Sequence, residues 1–242
     1  GKRQYLCGMK SLFSLVAVLL CTLGFAQNNH LDSKGLKQGK WQKTYDSGKI
    51  RYTGTFKNDV PVGTFTYFFE REGGKMSEIV YRGESGIGYA TAYHASGVKQ
   101  AEGLYNKQLK DSVWTYFSRK GLLTQRESYR VGTLDGPRMT YWENGKIAEI
   151  VDFKNGVEDG RWIRKWDNGT LRTKGSYTDG MLEGECVYYD ESAKMIAKGG
   201  YHKSKKHGVW YYFEDNRVVS KETYRYGTLE SETTYSDGQA EE

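Results

Sequence analysis

Proline is scarce, with 2 residues against 30 glycines. That excludes stiff proline-rich linkers and points to a chain broken by many tight turns. Cysteine is equally scarce, with 3 residues. Cys7 and Cys21 precede the expected processing site, which leaves Cys186 alone. No intrachain disulfide can then staple the processed chain, and packing must hold it. Cys186 takes the place of a tryptophan in neighbouring units and reads as a small apolar core residue. Charge of one sign is also lacking. The net charge is +6, and three of the basic groups (Lys2, Arg3, Lys10) lie in the first 26 residues, which hold no acid. The remainder carries 36 − 3 = 33 basic and 30 acidic residues, a net +3. So even a balance argues against nucleic acid as a partner and lends no support to membrane association through charge. Aromatics, by contrast, are abundant at 14%, with 20 tyrosines and 6 tryptophans. Such side chains suit a sheet that packs through large flat rings.

The N-terminus reads as an export signal. Met9-Lys10 gives a positive start, Leu12 to Phe25 an apolar stretch, and Ala26 a small residue before the expected cut. The stretch is short for a membrane span, which needs about 20 residues. Residues 1–26 are assigned to a signal peptide, residues 1–8 to an over-long start, 27–38 to a polar lead-in and 240–242 to an acidic tail. A retained anchor and a lipidated Cys21 are the alternatives, the latter disfavoured by Leu20 ahead of the cysteine.

Residues 39–239 are repetitive. Units begin at Gly39, Gly63, Gly88, Ser112, Gly136, Gly160, Gly184 and Gly208, at intervals of 24, 25, 24, 24, 24, 24 and 24 residues. The long interval contains an extra turn residue in Arg71-Glu72-Gly73-Gly74. Two residues into the unit stand Trp41, Phe65, Ala90, Trp114, Arg138, Trp162, Cys186 and Trp210. In unit six, Asp167-Asn168-Gly169 reads as a type I′ turn, and Leu171 to Thr178 alternates with period two, as a half-buried strand does. Each unit is therefore expected to be one β-hairpin. Gly54, Gly103, Gly175 and Gly199 recur in the second strand, where a missing side chain leaves room for a neighbouring ring to lie flat. The expected fold is all-β: an elongated, single-layer antiparallel meander of about 16 strands, eight and a half hairpins, with a polar half unit covering the last edge.

Gly160, Trp162, Trp166, Gly169, Gly175, Tyr177 and Gly180, with Gly39, Trp41, Tyr45, Gly48, Gly54 and Phe56, carry a family resemblance. The pattern resembles the MORN repeat in its bacterial variant form. The resemblance implies an elongated twisted sheet, protein–protein contacts, and a membrane association that has been proposed for such repeats. Many bacterial members are labelled antitoxins, which implies neutralisation of one cognate toxin as an alternative role.

Chemistry is hard to find. His202 and His207 flank a basic turn, with a spacing that suits no metal site. Asp46, Asp111, Asp135, Asp159, Asp167 and Asp179 recur because turns favour aspartate, and no nucleophile elbow is present. No catalytic residue, cofactor or metal is expected. The sequence points to a non-catalytic exported protein that offers a protein-interaction or scaffolding surface in the bacterial envelope, in the periplasm or outside the cell. An antitoxin-like inhibitor is the second reading and a glycan-binding or hydrolytic envelope protein the third. Rings found in only some units, Tyr45, Phe69, Trp142 and Trp166, are the candidate contacts with an unknown protein partner. Gly39, Trp41, Gly63, Phe65, Trp114, Gly136, Gly160, Trp162, Gly184, Gly208 and Trp210 define the repeat structurally.

Overall fold

The computed structural model of the chain describes residues 28–235. The signal segment, Cys7, Cys21 and the acidic tail lie outside the described residues. Within them the chain is one sheet of 19 strands. Each strand pairs antiparallel with the next, from β1 (His30–Leu31) against β2 (Lys37–Thr44) to β18 (Arg217–Arg225) against β19 (Thr228–Thr234), except that β14 (Met181–Leu182) and β15 (Gly184–Tyr189) both pair with β13 (Leu171–Thr178). The meander and its hairpins are as expected. The count exceeds 16 because β1 comes from the polar lead-in, β19 forms the half unit, and one strand is broken into β14 and β15. Every residue of β19 is exposed, in keeping with a polar covering of the last edge.

Two classes of turn alternate along the meander. At the hairpin tips the expected type I′ turn is not formed. In unit six the Gly169 N–H donates to the Trp166 carbonyl and the Trp166 N–H to the Thr170 carbonyl, both at 2.9 Å. Only Gly169 is left-handed, at φ 93°, so the tip is a three-residue loop, a turn that ends in one left-handed residue. The same bonding recurs from Tyr45 to Gly48 and from Trp142 to Gly145. Type I′ geometry, with two consecutive left-handed residues, lies instead between units, as at Asn155-Gly156 and Asp179-Gly180. The eighth hairpin departs from this pattern. Its tip is the two-residue type Asp215-Asn216, with φ of 44° and 64°, which explains why its second strand is one residue short.

The unit-initial glycines other than Gly88 are left-handed as well: Gly63 has φ 64° and Gly160 φ 114°. They sit in bulges. Between β3 (Ile50–Lys57) and β4 (Val60–Phe68), Thr53 faces Thr66 and Thr55 faces Val62, so three residues oppose one. An excess of two residues preserves the alternation of faces, so every unit presents the same positions to the same side. Unit three differs: β5 (Lys75–Tyr81) and β6 (Ile87–Tyr93) pair without a shift, and the surplus residues go into the loop Arg82–Ile87. Ser112 holds the bulge position in unit four at φ 58°, which costs an L-residue about 1–2 kcal/mol. Ser112→Gly is expected to stabilise the chain by about 0.5–1 kcal/mol, seen as a higher denaturant midpoint. An unchanged or lower midpoint counts against the strain.

One row of residues crosses the sheet through these bulges, and its members fit by size. In units two, four and eight the ring lies on the second-strand glycine of the unit before, whereas Trp162 of unit six faces Val151. A Cβ on Gly54 would come within 2.4 Å of the Phe65 ring, one on Gly103 within 2.5 Å of Trp114, and one on Gly199 within 2.2 Å of Trp210. The units without a ring keep the match. Ala90 faces Ile79, Arg138 faces Glu127, and Cys186 lies over Gly175. The core is therefore one ring thick and runs the length of the sheet. Phe65 and Trp210 are 2% exposed and Cys186 0%. Tyr201 meets Trp210 edge to face at 5.2 Å, a geometry worth about 0.5–1.5 kcal/mol beyond the buried area.

Candidate interaction surface

The surface is built from a repeated ring set. In unit four Trp114, Tyr116 and Tyr129 stand together, and in unit eight Trp210, Tyr212 and Tyr224. A lysine two residues before the unit start covers each set. The Lys110 ammonium stands 4.9, 5.1 and 5.0 Å from its three rings. The Lys206 ammonium stands 4.5, 5.3 and 4.7 Å from its own. Lys37 does the same for Trp41 and Phe56, at 5.3 and 4.8 Å. Two attractions hold the lysines there: the electronegative ring faces, and in units four and eight the phenol oxygens, since Lys110 donates to the Tyr116 hydroxyl at 2.6 Å and Lys206 to that of Tyr212 at 2.5 Å.

Burial and hydrogen bonding keep the phenols neutral. Burial is the main cause that pushes Tyr116 far above the ordinary phenol value, with Glu127 and Tyr129 adding to it. Tyr188 and Tyr212 are raised in the same way, helped by Tyr201 and by Glu222 respectively.

At unit three, which lacks its ring, the surface opens. Ala90 and Ala92 of unit three lie between Phe65 and Tyr67 on one side and Trp114 on the other, in a groove of about 900 Å³. Phe69, Tyr81, Tyr93 and Tyr105 also line it, and Lys37 and Asp59 bring one charge of each sign. The volume falls in the range of sites that hold a small molecule or an anchoring side chain.

The four candidate contact rings fall in two neighbouring pairs, Tyr45 with Phe69 and Trp142 with Trp166. Phe69 lines the groove. The other three use their polar tips as clasps between units. The Tyr45 hydroxyl donates to the Phe68 carbonyl at 2.8 Å. The Trp142 indole N–H donates to Lys165 and that of Trp166 to Tyr189, both at 3.1 Å. His94 takes the same position in unit three, its Nε2 3.2 Å from the Phe117 carbonyl. Trp142 remains 36% exposed, and the Arg172 guanidinium lies over Trp166 at 4.3 Å. The covering lysines were not foreseen from the sequence. The signal was present in Lys37, Lys110 and Lys206 at one position of the repeat.

Among the described residues no group of three or more His, Cys, Asp or Glu side chains could hold a metal. His202 Nδ1 lies 2.8 Å from Glu183 Oε1, and the His207 and Tyr226 rings stack near it. The Lys203 backbone N–H, and after it His202, hold the Glu183 carboxyl below its usual range. Burial pushes the Cys186 thiol up, which leaves little thiolate. No helix of the described residues is long and apolar enough to cross a membrane.

Comparison with protein families gives a match to the MORN repeat variant at residues 37–58 and 134–155. Both segments start two residues before a unit-initial glycine, Gly39 or Gly136, and end in the turn that closes the unit. No curated protein matches the chain. Two matches in the same phase of one continuous hairpin array show that this chain carries MORN repeats of the variant kind, a type of repeat that generally serves protein or membrane contacts.

Proposed function

We propose that the chain is an exported, non-catalytic repeat protein that presents a binding or scaffolding surface to a protein partner in the bacterial envelope. The observation that carries this reading is the ring-lined groove at Ala90 and Ala92, an opening of about 900 Å³ in the row that crosses the sheet. An exposed concave patch of rings is a common feature of protein-binding sites. The Met9 to Ala26 segment supports export. Fractionation of the native host with N-terminal sequencing tests the location. The expected product starts at Gln27 and is found with the envelope. A full-length chain in the cytoplasm contradicts export and favours the antitoxin-like alternative. Affinity capture from envelope extracts tests the binding role, and retention of no protein partner contradicts it.

A further inference from the structure

The three filled ring sets raise the question of what covers the fourth. Unit two has a complete set: Phe65 and Tyr81 meet edge to face at 5.6 Å, and Tyr67 lies 6.5 Å from Phe65. These match Trp114, Tyr129 and Tyr116 of unit four position by position. Where unit four has Lys110, unit two has Pro61. Among the described residues no ammonium or guanidinium stands over Phe65, Tyr67 or Tyr81 in the manner of Lys110. Arg51 is near, but its guanidinium stands over Tyr45, at 5.9 Å. The neighbouring unit does not cover the rings either, because Ala90 and Ala92 replace the large residues found at those positions elsewhere.

We propose that Tyr67 and Tyr81, standing over the buried Phe65, form an open receptor for a lysine-type ammonium side chain of the partner protein. The inference rests on the binding-surface reading above and deepens it by naming the group bound. Its basis is internal to the molecule: in three units the chain's own lysine fills the same place, and in unit two the place is open. The carboxylate beside the lysine varies in place: the Lys206 ammonium stands 4.0 Å from Glu222, and Asp59 accepts from the Lys37 backbone N–H at 2.8 Å. Units four and eight carry Glu127 and Glu222 beside their rings, but the corresponding residue of unit one is Gly54, and Lys37 still covers Trp41 and Phe56. Unit two has Ile79 there. Asp59 at the rim offsets Lys37, so the groove does not repel a cation through net charge. An ammonium that leaves water for such rings is held by their electronegative faces, and its alkyl stem packs on Ala90 and Ala92.

The test is a titration of the full chain, read by the ring signals of Tyr67 and Tyr81 in nuclear magnetic resonance. The probes are N-acetyl-trimethyllysine methylamide and its neutral carbon isostere, in which carbon replaces the charged nitrogen. The charged probe is expected to shift both tyrosines and to bind about 2- to 30-fold tighter than the isostere. Pro61→Lys places the chain's own ammonium over the rings, as Lys110 does, and is expected to abolish binding with an unchanged circular dichroism spectrum. Tyr81→Leu supplies a second variant, expected to weaken the charged probe more than the neutral one. The proposal is overturned if the isostere binds as well as the charged probe. It is also overturned if Pro61→Lys, folded, binds like the wild type, or if neither probe perturbs Tyr67 and Tyr81. Any of these results leaves the broader binding role standing if affinity capture still retains a partner, so the two readings fail separately.

Discussion

Trp114→Ala is expected to lower the free energy of unfolding by about 3–5 kcal/mol, against less than about 1 kcal/mol for the half-exposed Trp142→Ala. Trp114 is 4% exposed and its indole N–H donates to the Leu104 carbonyl at 2.9 Å. Removal of the ring leaves a gap above Gly103, which has no side chain to fill it. Gly103→Ile fails for the opposite reason, because even a Cβ would meet the indole at 2.5 Å. The two together recreate the Ile79 and Ala90 pair that unit three already uses. The double variant is therefore expected to recover about 2 kcal/mol or more of the summed losses. Chemical denaturation of the four proteins checks this. Additive losses would show that the row is not matched by size. In an array whose units contact only their neighbours, the damage should be largest in units three to five, a pattern that hydrogen exchange would resolve.

The second large effect is an alkaline transition. Tyr116, Tyr188 and Tyr212 have folded-state pKa values raised above the unfolded value, with burial as the first cause. A phenol that keeps its proton in the folded state contributes stability that is fully present below the unfolded pKa of about 10. That stability is lost as pH rises from there toward the folded value, because only the unfolded chain gives up the proton. Several half-buried tyrosines act in the same direction, among them Tyr67, Tyr81 and Tyr105. The chain is expected to unfold cooperatively between about pH 10 and 12. Tyrosinate absorbance and loss of the β-sheet circular dichroism signal should rise together. Ionisation of these phenols near pH 10 with the sheet intact would contradict the burial argument.

Much of the architecture was legible in the sequence because the repeat is local. The period, the hairpin unit and the strand at Leu171–Thr178 follow from spacing and alternation alone. The role suggested for Gly54, Gly103, Gly175 and Gly199 is met, and the ring over each glycine belongs to the following unit, apart from the Cys186 thiol over Gly175. The turn class was misread because the Asn-Gly signal fits both a type I′ turn and a turn that ends in one left-handed glycine. Only the bonds from Trp166 to Gly169 and Thr170 separate them. The bulges were invisible for a related reason: a unit-initial glycine says that a backbone needs a left-handed residue, but not how many residues the partner strand lacks. The groove depends on the facing of Ile79 and Ala90 across strands, and the lysine covers depend on side chains that fold back over their own unit. Both are facts of register, which a sequence of one chain carries only implicitly.

The claim that the opening at unit three is where a partner sits has a direct test. Ile79→Gly with Ala90→Trp rebuilds the ring-on-glycine pair of units two, four and eight and fills the groove while it keeps the size match. The measurement is retention of envelope proteins by the immobilised wild-type chain and by this variant, both first shown to be folded. Loss of the retained partner with the groove filled is the predicted result. The same partner held equally well by both proteins would place the contact elsewhere on the sheet and contradict the account.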